Sequence, residues 1–186
     1  MKDEPVDILD EQGNQTGQVL MKKQAHDRGL WHPVVHLWIY NSKGQVLLQK
    51  RSLNKLVHPG VWDISVGGHA VAGDTPTQAV IKEAREELDL ELKAKDLTFI
   101  ALTKYDEKMP AGWWNRFFAW TYLTKLDRKA SDFKIEKDEI SEVKWFEIDE
   151  MMKLVKDVAK TRGFAPDILD SFRRVADEIN RRLKNG

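Results

Sequence analysis

The chain has 186 residues, of which 32% are charged and 41% hydrophobic, a composition that excludes intrinsic disorder and a membrane-embedded protein. Lysine plus arginine and aspartate plus glutamate each number 30, so no basic excess points to a nucleic acid polymer as partner. Cysteine is absent, which excludes disulfides, thiolate nucleophiles and cysteine-zinc sites, and the acidic start MKDEPVDILDEQG carries no leader-like apolar stretch, so a cytoplasmic protein without membrane attachment is expected.

Val6–Asp10 and Gly17–Met21 read as short strands around a turn at Gln12-Gly13-Asn14, and Lys22 to Arg28 as a short helical or irregular connection. Val34–Tyr40 and Val46–Lys50 form a predicted hairpin across Asn41-Ser42-Lys43-Gly44, with its apolar residues covering one side of a sheet. Ser52 to Gly60 reads as a polar loop, and Trp62–Val66 as a strand ending at Gly67-Gly68. Asp74 to Leu88 is the strongest helix: Thr75 suits the N-cap, Pro76 the first turn, Gln78 completes a capping box, and Val80, Ala84 and Leu88 form an apolar stripe. Leu97–Lys104, Asn115–Leu123 and a segment holding Trp145-Phe146 read as strands, and Asp149–Val158 as a helix. A final helix, Pro166–Leu183, has an apolar stripe of Ile168, Leu169, Phe172, Val175, Ala176, Ile179 and Leu183. This order predicts an α/β fold, a mixed β-sheet sandwiched between helices.

The chemistry concentrates in GGHAVAGDTPTQAVIKEAREELDL, Gly67 to Leu90. Glu83, Glu86 and Glu87 stand at i, i+3 and i+4, so a helix brings three carboxylates to one face. Like charges at that spacing repel, and a hard divalent cation relieves the repulsion; oxygen ligands favour Mg²⁺ or Mn²⁺, with substrate phosphates completing the shell. The plain alternative is a solvated acidic face paired with Lys82 and Arg85.

This segment resembles the Nudix box, in which a glycine, an acidic residue and an Arg-Glu-x-x-Glu-Glu run are spaced over a loop and helix. Gly68, Glu83, Ala84, Glu86, Glu87 and Leu90 match it, while Asp74, Lys82 and Asp89 depart from the usual Glu, Arg and Gly. The resemblance implies a single Nudix domain over residues 1–186: an N-terminal extension (1–30), a core (31–158) and a C-terminal helix (159–186). It also implies Mg²⁺-dependent attack of water on a diphosphate joined to some group X, in a nucleoside diphosphate derivative or another small organic diphosphate. Glu83, Glu86 and Glu87 would be catalytic and hold the metal with the Gly68 carbonyl. A general base would come from the box or from a later loop, where Asp138 and Glu139 are candidates.

Leu30 to His69 further resembles the Nudix branch that includes isopentenyl diphosphate isomerase. That likeness implies diphosphate binding by Lys22, Arg51 and Lys55, and a second metal site at His26, His32 and His69, for which buried hydrogen-bonded histidines are the alternative. The isomerase cysteine position is Gly67, and the carboxylates expected near Trp114–Arg116 are replaced by Trp114 and Arg116, whereas Glu83 and Glu86, typically absent in the isomerases, are present. A hydrolase from the isomerase-like branch is therefore expected, with an isomerase or a non-catalytic diphosphate-binding protein as alternatives. Trp113 and Trp114 suit stacking on a nucleobase or covering an apolar group, making Trp114 a substrate-contact candidate; core packing or a homodimer contact is the alternative. His36 and His58 receive no role.

Overall fold

The computed structural model describes residues 3–55, 58–109, 112–156 and 168–185. β1 (Pro5–Leu9) and β2 (Gln15–Met21) pair as an antiparallel hairpin that leads directly into helix α1 (Lys22–Arg28). The main sheet has seven strands: β3 (His32–Tyr40), β4 (Gln45–Arg51), β5 (Trp62–Asp63), β6 (Val66–His69), β7 (Thr98–Lys108), β8 (Trp114–Lys125) and β9 (Ile140–Glu147). Three further helices are α2 (Pro76–Leu88), α3 (Ile148–Lys156) and α4 (Ile168–Asn185). Strand order is β5-β4-β3-β8-β7, with β6 also on β3 and β9 also on β4. β3 and β8 run parallel, from His32 opposite Phe117 to Tyr40 opposite Lys125.

β3 lies at the centre and is covered on both faces, not on one as the predicted hairpin implied. Alternation along the strand divides its side chains. Val35, Leu37 and Ile39 pack with Val80, Ala84 and Leu88 of α2. Trp38 and Tyr40 pack on the opposite face with Met151 of α3 and Phe172, Val175, Ala176 and Ile179 of α4. Helices on both faces of a mixed sheet give the expected sandwich. Of the predicted C-terminal stripe, Leu183 is 38% exposed, and the side chains of Ile168 and Leu169 lie outside the described residues, as do Pro166 and Val158 at the predicted helix ends. Among the described residues, no helix is long and apolar enough to cross a membrane.

α2 begins as its sequence predicts. The Gln78 N–H donates to the Thr75 hydroxyl at 3.3 Å, and the Thr75 N–H donates to the Gln78 side chain at 2.9 Å. It ends at Asp89, which takes the left-handed conformation (φ 50°) that the family pattern gives to glycine, and the Leu90 N–H reaches back to the Ala84 carbonyl at 3.1 Å. The segment read as one strand over Trp62–Val66 is two strands. Between them the buried Ser65 hydroxyl donates to the Leu47 carbonyl at 2.6 Å and accepts from the Ile39 N–H at 2.8 Å. Gly67 and Gly68 do not end a strand; they form the middle of β6.

The hairpin and α1 are fastened to this framework. The Leu9 N–H donates to the Trp31 carbonyl and the Ala72 N–H to the Pro5 carbonyl, both at 2.8 Å, while the Gly73 N–H reaches Asp7 Oδ2 at 3.0 Å. These bonds hold Lys22 and His26 beside β6. On the opposite face, Phe172 is fully buried with its ring 4.6 Å from that of Trp38. The Phe172→Ala variant is expected to lose about 3–5 kcal/mol of stability through the cavity it leaves, measured by urea unfolding.

Candidate active site

The box carboxylates do not share one environment. α2 is pressed onto β6 so closely that a Cβ at Gly68 would coincide with the Glu83 carboxyl group. Glu87 is only 6% exposed; its carboxyl accepts from Gln49 Nε2 at 3.4 Å and from the Gly67 backbone N–H. Glu86 is exposed. The helical spacing therefore places all three on one side of α2, but packing separates two inner carboxylates from one at the rim. Among the described residues none of the three forms an ion pair.

Burial, with no ion pair among the described residues to offset it, raises the inner carboxylates. Desolvation, with Glu86 adding like-charge repulsion, lifts Glu83 to about 7, and desolvation with the Glu83 charge holds Glu87 well above the usual carboxylate range. Two desolvated carboxylates beside a glycine backbone fit a hard divalent cation, which would supply the charge that the protein withholds.

His32 and His69 lie on the other face of the sheet, and His26 reaches them from α1. The three histidines offer ligand atoms within 4.8 Å of one another, and among the described residues they are the one such cluster. Backbone carbonyls orient the rings: His26 Nδ1 lies 3.1 Å from the Trp114 carbonyl, and His32 Nδ1 lies 2.9 Å from the Leu30 carbonyl. A carbonyl only accepts, so each Nδ1 carries the proton and each Nε2 presents a lone pair. His26 Nε2 stands 3.2 Å from His69 Nε2, and the buried His32 Nε2 has no hydrogen-bond partner. Desolvation lowers all three, His32 to about 4, so each ring is neutral near pH 7. Oriented neutral imidazoles with converging ring nitrogens fit a transition-metal ion, which would replace the hydrogen bond between His26 and His69.

The basic candidates join the two sets. Lys22 is half-buried and depressed by desolvation, and its charge acts on Glu83 and on all three histidines. The Lys55 charge reaches Glu87 and His69, and its ammonium pairs with Glu139. Arg51 pairs with Asp63 at 3.2 Å. Of the two loop carboxylates, Glu139 lies within the field of Glu83 and Glu87, while Asp138 is exposed.

The Trp114 ring packs on the Arg116 guanidinium at 3.9 Å and against Gly29, so it supports the site through its carbonyl to His26. Trp113 is the tryptophan whose ring approaches His26, at 5.0 Å. Arg116 bonds Asp106 on the face of β8 away from the triad. The β8 residues facing the triad are Asn115 and Phe117, since Phe117 is registered with His32 and lies 6.4 Å from its ring. Sequence reasoning named Trp113 beside Trp114 for stacking but missed Gln49 and Glu4, whose charge acts on Lys22 and Glu83. No local signal marks them, because strand register and the docked hairpin bring them in.

Residues 30–168 match the NUDIX domain family. The chain is 31% identical to Nudix hydrolase 3 of Arabidopsis thaliana over 99% of its own length, and it spans 24% of that plant protein. It is 32% identical to the isopentenyl-diphosphate Delta-isomerase of Escherichia coli, over 82% of each chain. The crystal structure of DR0079 from Deinococcus radiodurans matches with a TM-score of 0.71 at 26% identity, covering 92% of this chain and 98% of that one.

Glu83 ionises at about 7 when folded against 4.5 in the reference state, so between those values the unfolded chain sheds its proton first and the folded chain loses relative stability. Without metal, Glu83→Gln is expected to melt with wild type near pH 4.5 and increasingly above it up to pH 7, with no further gain beyond. A pH-independent difference in melting temperature would contradict the buried carboxyl. The Gly68→Ala variant is expected to keep its fold, since only the flexible end of Glu83 must move, and to lose Mg²⁺ affinity in calorimetric titration.

Proposed function

Because the chain belongs to the NUDIX domain family, we propose that it is a Mg²⁺- or Mn²⁺-dependent hydrolase that cleaves a diphosphate linkage in a nucleoside diphosphate derivative or another small organic diphosphate. One observation carries this reading: Glu83 and Glu87 are held desolvated against Gly67-Gly68 with no ion-pair partner among the described residues, and Lys22 and Lys55 stand close enough for their charges to act on them. Glu83, Glu86, Glu87 and the Gly68 carbonyl would hold the ion. When bound, a divalent cation neutralises charge on diphosphate oxygens and lowers the pKa of an attacking water.

The remaining work falls to the chain. Lys22, Arg51 and Lys55 bind and orient the diphosphate, with the guanidinium suited to a two-pronged grip on phosphate oxygens. The Lys55–Glu139 pair places a carboxylate at the box, where Glu139 takes the proton released by water. The three-histidine cluster is proposed as a second metal site; its donor geometry supports this, and loss of a Zn²⁺-induced thermal shift in His32→Ala and His69→Ala would test it. An isomerase reading is disfavoured by Gly67, which supplies no proton-transferring group, and by Asn115 and Phe117 in place of carboxylates on the triad face.

The purified chain with Mg²⁺ should release phosphate species from at least one member of a panel of nucleotide sugars, nucleoside di- and triphosphates, dinucleotides and coenzyme A, and should leave isopentenyl diphosphate unisomerised. Glu83→Gln and Glu87→Gln are each expected to lower turnover by about 100-fold or more while folding normally, beyond what loss of an outer-shell metal partner costs. Full activity in both variants would remove the box from the mechanism. Tight ligand binding with no turnover across the panel would instead favour a binding protein.

A further inference from the structure

Two of the cations assigned to the diphosphate already hold carboxylates. Arg51 Nη1 lies 3.2 Å from Asp63 Oδ2, and the Lys55 ammonium pairs with Glu139. The two pairs are built differently. Asp63 is tied down by its own backbone, because Oδ1 accepts from the Ile64 N–H at 2.8 Å, so it orients Arg51. Among the described residues, Lys55 is the one hydrogen-bond partner of the Glu139 carboxylate. Both side chains of this second pair are largely withdrawn from solvent, where an ion pair is screened little.

The backbone that carries Glu139 is pinned on both sides. The Ser52 N–H donates to the Glu139 carbonyl at 2.9 Å, and the Lys55 N–H closes the adjoining turn on the Ser52 carbonyl at 3.2 Å. On the other side, the Glu136 N–H donates to the Glu87 carbonyl at 3.0 Å, and the Ile140 N–H to the Glu136 carbonyl at 2.7 Å. The turn thus sits between the Lys55 loop and the end of the box helix, and a change of partner needs only side-chain rotation. From this place the Glu139 charge acts on Glu83 and Glu87, and the Lys55 charge on Glu87.

We infer that Glu139 is a carboxylate shared between Lys55 and the box: in one arrangement it covers the Lys55 ammonium, and in the other it turns to a divalent cation held by Glu83 and Glu87, which alone leaves Lys55 open to a diphosphate. This rests on the diphosphate reading proposed above. The sign of the local field decides between the arrangements. Box carboxylates repel Glu139 toward Lys55, and a cation among them reverses that force. Glu139 therefore determines specificity. A metal-free anion meets a covered ammonium and must displace a carboxylate, whereas a metal-complexed diphosphate meets an open one. The turn toward the box also frees the Glu139 oxygens of Lys55, as acceptance of a proton from water requires. By linkage, metal and diphosphate then strengthen each other's binding through these two side chains.

The test is a double-mutant cycle of wild type, Glu139→Gln, Lys55→Gln and the double variant, read by calorimetric titration. The probes are methylenediphosphonate without divalent metal, and Mg²⁺ alone. Without metal, Glu139→Gln should bind methylenediphosphonate about tenfold more tightly than wild type, and the same change in the Lys55→Gln background should gain about threefold or less. Lys55→Gln should bind Mg²⁺ about tenfold more tightly than wild type, with about threefold or less gained in the Glu139→Gln background. Gln keeps the size of Glu and an oxygen that accepts from the ammonium; Glu139→Asn provides a second variant with the same expected readout. Gains of equal size in both backgrounds would show a general charge effect and overturn the sharing of Glu139. So would binding of methylenediphosphonate by wild type in Mg²⁺ with no metal-free gain in either Glu139 variant. No binding of methylenediphosphonate by any of these proteins, with or without Mg²⁺, would overturn the diphosphate reading and this inference with it.

Discussion

Much of the molecule depends on how closely helix α2 approaches strand β6. That contact is possible only because position 68 has no side chain, and it sets the Glu83 carboxyl directly on the strand backbone. The same four-residue strand faces two ways. Gly68 registers with Val35, on the side packed by α2, while His69 registers with Val34, on the side of the histidine cluster. One thin strand thus keeps an oxygen-rich site and a nitrogen-rich site apart by the thickness of a sheet. Lys22, delivered from the N-terminal hairpin, is close enough to act on both.

This arrangement puts electrostatic cost where the chemistry is. Two carboxylates are desolvated with no ion-pair partner among the described residues, and three imidazoles are held neutral with their ring nitrogens converging, His69 Nε2 donating to His26 Nε2 at 3.2 Å. Elsewhere charges are treated conventionally: Arg181 and Arg182 both pair with Glu178, and Lys134 pairs with Asp89 at the solvent-facing end of α2. The unsatisfied groups are supported by the apolar packing around them, with Val80, Ala84 and Leu88 locking α2 on one face and Phe172 and Ile179 locking α4 on the other.

How much of this was legible in the sequence depended on the range of the interactions involved. α2 was readable nearly to the residue because its cap, its proline and its stripe lie within one segment. The box was readable as a motif, but not the inequality of its glutamates, since that comes from Gln49 and β6 rather than from helical spacing. Gly67-Gly68 looked like a strand end because glycine usually breaks strands; here close packing requires it inside one. The convergence of His26, His32 and His69 could be suspected only by resemblance, because three separate elements must dock before the rings meet. The alternation of β8 decided which of its residues face the triad, and a one-residue change of register reverses that answer.

The hairpin that carries the chain into Lys22 and His26 is a two-stranded sheet of its own, outside the seven-stranded one. An isolated pair of strands is marginal in water, so its order is borrowed from a few attachments: Leu9 to Trp31, Pro5 to Ala72, and Asp7 to Gly73. The Lys104 ammonium on the Glu11 carbonyl at 2.8 Å and the packing of Leu9 with Trp31 and Phe118 complete that docking. Lys22 and His26 therefore owe their positions to the same docking. An anion gripped by Lys22, or a cation gripped by His26, would tie the hairpin to the main sheet, and amide protection in the first thirty residues would then report site occupancy.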